Sequence, residues 1–252
     1  MKREKFAPCL LIPIYNHKRE IKKVVESLKY LELSCLIIDD GSDESTKQVL
    51  HEIASEESWV DLVIYNENRG KGVALREGFR LAAKKGFSHT VVLDADGQHN
   101  ALDVPKFIDA AKQNPLAMVY GEPVFDDSAP KIRLYGRKIT TYLVWLQTLS
   151  SDIRDALCGF RCYPLASVVS LIDSRVLGDR MDFETEIAVF LYWQGVPTVS
   201  VKTDVIYQGE GGLSNFNYLS DNILIFRLHV KMILGMIPKS PGLILRTLLK
   251  KR

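Results

Sequence analysis

The sequence contains no uninterrupted apolar run of the ~18–20 residues that a membrane-spanning helix requires. It also lacks a strong net charge. Lys and Arg total 33 against 31 Asp and Glu, for a net charge of +2, which removes the electrostatic case for nucleic acid as a main partner. Cysteine is scarce, with four in 252 residues. Cys158 and Cys162 are four apart with no second pair at zinc-finger spacing, and Cys9 and Cys35 sit in apolar runs as buried thiols. A reduced, cytoplasmic protein is therefore expected. No secretory leader is expected either, because the apolar run after the charged first residues is broken by Pro8 and Pro13. No internal repeat or low-complexity segment is present. What remains is 46% hydrophobic and 25% charged, the composition of a globular chain long enough for a sizeable core.

Short apolar runs alternate with helical patterns over the first hundred residues. Residues 9–14 read as a buried strand ending in the turn Pro13-Ile14-Tyr15-Asn16. Ile21, Val24, Val25, Leu28 and Leu31 then recur at helical spacing. A second strand, 34–38, runs into Asp39-Asp40-Gly41-Ser42, with a helix from about Asp43. A third, 59–65, precedes Asn68-Arg69-Gly70-Lys71-Gly72, which opens a helix carrying Val73, Leu75, Phe79 and Ala82. The fourth, 90–93, ends at Asp94-Ala95-Asp96. Three strand–helix repeats with short connections predict βαβ units and a parallel sheet. In such sheets ligands bind beyond the carboxyl ends of the strands, and all four polar clusters fall there. Further on, 117–120 reads as a strand, 131–150 as a helix, 183–193 as a helix closed by Gly195, 196–207 as a strand and 217–237 as a helix.

The chemistry concentrates in Val91-Val92-Leu93-Asp94-Ala95-Asp96-Gly97-Gln98-His99. Two carboxylates at alternate positions of a strand end stand about 6–7 Å apart. Burial and mutual repulsion disfavour both charged forms. A divalent cation removes that cost, and the oxygens of Asp94, Asp96 and the Gln98 amide suit Mg²⁺ or Mn²⁺. The alternative is a turn whose aspartates cap the next helix. His99 either joins the ligands or stands outside them.

Ile12-Pro13-Ile14-Tyr15-Asn16, Ile37-Ile38-Asp39-Asp40-Gly41-Ser42, Asn68-Arg69-Gly70-Lys71-Gly72 and Asp94-Ala95-Asp96-Gly97-Gln98-His99, in that order, resemble family 2 glycosyltransferases. The likeness is strongest to the branch of dolichyl-phosphate and polyprenyl-phosphate sugar synthases. Gly159-Phe160-Arg161 and Gly212-Leu213-Ser214 extend it to about residue 235. The resemblance implies an α/β GT-A fold: a Rossmann-like, mostly parallel sheet flanked by helices, with a C-terminal amphipathic helix. It divides the chain into a GT-A domain over 1–215, with a nucleotide-sugar half (1–120) and an acceptor half (121–215), and a basic helix and tail over 216–252. It implies inverting, metal-dependent transfer from a UDP- or GDP-sugar.

Under that resemblance Pro13 and Tyr15 flank the base. Asp40 accepts from the ribose or base, and Asp39 either does so instead or caps the next helix. Lys71 reaches a phosphate or the base, or is a solvated helix-start lysine. Asp96 is the first metal ligand, Asp94 lies on the sugar side, and Gln98 completes a site that steadies the leaving diphosphate. Arg76 and Arg80 read as surface charges. Asp182 and Glu186 share a helix face and offer a base for a hydroxyl acceptor; either is equally a cap or scaffold. Gly159, Phe160, Arg161 and Ser214 form the acceptor side, unless Arg161 pairs with Asp155. Phosphate-acceptor relatives carry an arginine and then Gly-x-Ser-Lys; here Asn215 follows Ser214 and no arginine precedes it. That departure weighs against a polyprenyl phosphate and leaves the acceptor as a polyprenyl phosphate, another lipid or another acceptor. A nucleotidyltransferase also uses paired carboxylates, but wants a glycine-rich basic loop where Tyr15-Asn16-His17 stands. A non-catalytic sugar-nucleotide binder is opposed by the intact Asp94, Asp96 and Gln98.

From Arg227 to Arg252 the chain has seven Lys and Arg and no Asp or Glu. Arg227 and Lys231 share a face, and apolar 243–249 leads into Lys250-Lys251-Arg252. This is either an amphipathic basic surface for the headgroups of an anionic membrane or a core-packing helix with a solvated tail. Tyr142, Leu143, Trp145 and Leu146 shape an acceptor mouth in the first case. The expectation is a peripheral enzyme on the inner face of the membrane.

Overall fold

The computed structural model describes residues 5–125, 131–206 and 218–250. Seven strands, β1 (Pro8–Ile14), β2 (Cys35–Asp39), β3 (Val60–Ile64), β4 (His89–Val92), β5 (Met118–Val124), β6 (Arg161–Pro164) and β7 (Thr198–Asp204), form one sheet in the order β3-β2-β1-β4-β6-β5-β7. The pairs β1–β2, β1–β4, β2–β3 and β5–β7 are parallel, and only β6 runs against its neighbours. The α-helices are α1 (Ile21–Leu28), α2 (Glu44–Glu56), α3 (Lys71–Lys84), α4 (Val104–Gln113), α5 (Lys131–Thr148), α6 (Leu165–Ser174), α7 (Asp182–Trp193), α8 (Tyr218–Met236) and α9 (Ser240–Lys250).

The central strands read as continuous apolar runs because both faces are covered. Alternate residues of β1 split between two cores. Leu11 packs with Phe79 of α3, Leu171 of α6 and Phe183 of α7, whereas Leu10 and Ile12 pack with Val25 of α1, Leu50 of α2 and Phe107 of α4. Two features depart from the sequence expectation. Strand β6 enters between β4 and β5, so that the Arg161 segment is sheet rather than loop. Helices α4 and α6 cover stretches for which no element was expected.

At the C-terminus, α8 lies against α5 and α7. Gln147 Nε2 donates to His229 at 2.8 Å, and Trp193 Nε1 donates to Gln147 O at 2.8 Å. Arg246 of α9 donates to the carbonyls of Tyr192 in the last turn of α7 and Val196 just beyond it, at 2.6 and 3.1 Å, where a cation offsets the helix dipole. The opposite face is apolar and exposed at Phe226, Val230, Leu234, Ile244, Leu245 and Leu248. Exposed Tyr135, Ile139 and Tyr142 of α5 add to this surface. Counting unbroken runs understated this region. The 27 residues Ile223–Leu249 are long and apolar enough, by length and composition, to cross a membrane, and only 11% of the apolar window is buried.

Candidate active site

Register carries the strand-end motifs to one place. Ile14 stands opposite Asp39, and Leu11 opposite Val92, so the turn after β1 is level with both carboxylate motifs. A cavity of about 510 Å³ opens there. Pro13, Tyr15, Asp40, Lys71, Asp94 and Asp96 line it, together with His17, Arg180, Met181 and Glu184.

The turns are braced before any ligand arrives. Asn16, in the left-handed region at φ 59°, accepts from Asp43 N at 2.9 Å, and its own N–H donates to Ser42 Oγ at 2.9 Å. Asp39 does not line the cavity; its carboxylate accepts from Ser42 N at 3.2 Å. Asp40 accepts from Arg69 N at 2.9 Å and Gly70 N at 2.8 Å, which sets the first turn of α3 and with it Lys71. Burial raises the carboxyl pKa of both, against these N–H bonds.

Lys71 Nζ sits between two carboxylates, 2.5 Å from Asp94 Oδ1 and 3.0 Å from Glu184 Oε2. Burial opposes its charge, yet Asp94 and Glu184 hold its pKa above the usual lysine value. The second oxygen of Asp94 is 3.1 Å from His99 Nε2. Burial alone would raise Asp94; Lys71 and His99 outweigh it and hold the carboxyl below its ordinary range. Asp96 differs. It accepts from Gln98 N at 3.0 Å, and burial together with the Asp94 charge raises its pKa. Gly159 lies against the cluster, where a Cβ would stand 2.6 Å from Asp94 Oδ2 and 3.0 Å from Glu184 Oε1.

The expected metal set is redistributed. Asp94 is already engaged by Lys71 and His99, and the Gln98 side chain is not in the cavity lining. Among the described residues no three His, Cys, Asp or Glu side chains form a metal cage. Asp96 still fits a hard divalent cation: it is a half-buried carboxylate on the cavity wall that no lysine or arginine pairs with among the described residues. A cation held by one or two carboxylates and by substrate phosphates is the usual arrangement for Mg²⁺. The lining also carries four carboxylates (Asp40, Asp94, Asp96, Glu184) against two cations (Lys71, Arg180). A diphosphate entering such a site needs added positive charge.

Other expected residues lie elsewhere. Neither Asp182 nor Glu186 lines the cavity. Asp182 accepts from Arg180 N at 3.2 Å, and Glu186 binds Gly178 N at 2.6 Å and Lys231 Nζ at 2.7 Å. The cavity carboxylate of α7 is Glu184, which sequence reasoning passed over. Phe160 is buried and stacked on Phe107 with ring centroids 3.9 Å apart. Arg161 is 1% exposed and donates to the carbonyls of Ala156, Cys158 and Glu184. It does not pair with Asp155, which Arg137 holds through two bonds of 2.8 and 2.9 Å. Arg76 is not a free surface charge. It donates to Leu177 O and Gly178 O at 2.9 Å each and pairs with Asp179. Ser214 lies outside the described residues.

The chain is similar to glycosyltransferase AglJ of Haloferax volcanii, at 27% identity over 229 residues, covering 87% of this chain and 70% of that protein. It is similar to polyprenol monophosphomannose synthase of Mycolicibacterium smegmatis, at 28% identity over 161 residues, covering 61% of this chain and 60% of that one. Among solved structures, mannosyltransferase PcManGT from Pyrobaculum calidifontis, in complex with GDP-Man and Mn²⁺, shares the fold with a TM-score of 0.58 at 13% identity, covering 96% of this chain and 75% of that chain. The profile described as glycosyl transferase family 2 matches residues 9–168, which include the cavity-lining residues from Pro13 to Leu157, and the chain belongs to that family of glycosyltransferases.

Proposed function

We propose that this enzyme moves a sugar, with inversion, from a nucleoside diphosphate sugar to a lipid-linked acceptor at a membrane surface, with Mg²⁺ or Mn²⁺ on the diphosphate. The observation that carries this is the convergence of four strand-end motifs on one net-acidic cavity. The base lies between Pro13 and Tyr15, and Asp40 holds the floor of the nucleoside site. Asp96 holds the metal, which stabilises the negative charge that builds on the leaving diphosphate. Lys71 pairs with Asp94 and Glu184 together and fixes both on the sugar side. Arg180 supplies a cation at the mouth.

The lipid acceptor is supported by the relatives, one of which is a polyprenol monophosphomannose synthase. It also suits the carboxylates. Asp94 and Glu184 are engaged by Lys71, and Asp40 by backbone N–H groups, so none of the three stands ready as a base. A phosphate acceptor brings its own anionic oxygen and needs none. Beside α5 a second cavity of about 380 Å³ places Lys138 and Arg154 next to Tyr142 and Trp145. That combination suits an anionic headgroup with an apolar chain. The exposed apolar residues of α5, α8 and α9 and the basic C-terminus support the reading of a peripheral seat on the inner leaflet.

The test is a thermal-shift panel of UDP, GDP and their sugars with and without Mn²⁺, followed by transfer from the stabilising donor to polyprenyl phosphate in detergent. Metal-dependent stabilisation by one nucleotide is expected, and it is lost in Asp96→Asn. Stabilisation by no nucleotide refutes the donor reading, and an unchanged shift in Asp96→Asn refutes the ligand assignment. Donor binding without transfer to any lipid phosphate refutes the acceptor.

A further inference from the structure

Glu186 is 1% exposed on α7, faces away from the cavity lining, and spends its two carboxylate oxygens in different directions. Oε2 accepts from Gly178 N at 2.6 Å, and Oε1 accepts from Lys231 Nζ of α8 at 2.7 Å. The turn at 177–180 is gripped from the other side by the start of α3. Gly72 N donates to Asp179 O at 2.8 Å, and Arg76 Nη1 donates to Leu177 O and Gly178 O. The approach leaves no room for side chains. A Cβ on Gly70 would stand 2.2 Å from Asp179 O, and one on Gly72 would stand 2.6 Å from Gly178 O.

The turn is thus clamped between Glu186 and the helix start that carries Lys71. It delivers Arg180 and Met181 into the cavity. The same carboxylate that holds it reaches the C-terminal helix. Lys231 is 58% exposed, whereas the Glu186 carboxylate is buried. Without the ammonium, Glu186 is a buried anion with one N–H partner, a costly state. It relieves that state by turning toward solvent, and that move loosens Gly178.

We propose that Glu186 and Lys231 are positioning residues that tie α8 to the phosphate end of the donor cavity, so that the seating of α8 sets the affinity of the site for nucleotide. The inference rests on the reading of the cavity as a nucleoside diphosphate site. It makes the helix with the exposed apolar face a determinant of donor binding 45 residues away in sequence from the carboxylate it holds.

The experiment is calorimetric titration of the full chain with UDP and with GDP, each with Mn²⁺, using the nucleotide that the wild type binds. Lys231→Met and Glu186→Gln are each expected to raise Kd about five- to tenfold. The double variant is expected to be no weaker than either single one, because both changes break the same link. Lys231→Arg restores wild-type affinity. Arg246→Ala serves as the control: it frees α9 from the end of α7 without touching the 177–180 turn, and it lowers Tm with Kd unchanged. A purely structural role predicts lower Tm in every variant and unchanged Kd in the folded protein. Kd within twofold of wild type in both Lys231→Met and Glu186→Gln overturns the inference. A wild type that binds neither nucleotide overturns the donor-site reading itself, which is a distinct result.

Discussion

Replacing Lys71 by methionine removes the ammonium that separates two buried carboxylates. Its distances of 2.5 Å to Asp94 and 3.0 Å to Glu184 leave those oxygens no more than about 5.5 Å apart. The side chains are 17%, 25% and 10% exposed for Lys71, Asp94 and Glu184, so solvent screens the pair poorly. At an effective dielectric of about 20, the repulsion uncovered is about 3 kcal/mol. Two charge-assisted hydrogen bonds are lost as well. His99 still contacts Asp94, and protonation of one carboxyl caps the cost, so a net loss of about 2–4 kcal/mol is expected. For a chain of this length that corresponds to a fall in Tm of about 4–8 °C. The assay is thermal unfolding at pH 8 and low salt. Adding Glu184→Gln to Lys71→Met removes one of the two charges and is expected to recover at least half of the loss. The deficit also shrinks at pH 5, where a carboxyl takes up the proton. A Lys71→Met protein melting within about 1 °C of wild type, or a double variant less stable than the single one, would refute the reasoning.

Gly159→Ala places a methyl group 2.6 Å from Asp94 Oδ2, an oxygen pinned by His99 with Lys71 on its partner, so the carboxylate must move. Transfer activity is expected to fall by about tenfold or more, a barrier change near 1.4 kcal/mol, with only a small change in Tm; retained activity would show that the Asp94 position is not critical. Stability is expected to fall as pH drops below the ordinary histidine value of about 6.5. Burial depresses the pKa of His89 and His229, so the unfolded chain takes up protons first; melting curves between pH 7.5 and 5.5 check this, and His229→Gln should flatten the slope. Sedimentation with anionic vesicles at low salt is expected to pull down the protein and to fail in high salt or in a Phe226→Asp, Leu234→Asp variant; a wild type that ignores such vesicles removes the membrane reading.

The donor side was legible because its signals are local. An apolar run that stops at Asp39-Asp40 or Asp94-Ala95-Asp96 marks a strand end wherever the strand lies. Parallel neighbours then bring those ends to one edge of the sheet. The part of the chain after residue 155 was less legible for equally physical reasons. Strand β6 has only four residues and begins with an arginine, so no apolar run marks it. Its antiparallel insertion turned Arg161 inward onto three carbonyls. Helix α7 carries carboxylates at 182, 184 and 186, and residues two apart point to different faces. Which of them meets the cavity depends on the rotation of the helix against α3 and the sheet, and periodicity cannot supply that angle in a helix buried nearly all round.

The sequence by itself determined the strand ends, the family and the kinds of group offered to a ligand. The tertiary structure alone decided which charge answers which. Lys71 meets Glu184 across 113 residues, Lys231 meets Glu186 across 45, and Arg137 takes the Asp155 that was one alternative partner for Arg161. Ion pairing follows distance in space and burial, and neither is written along the chain.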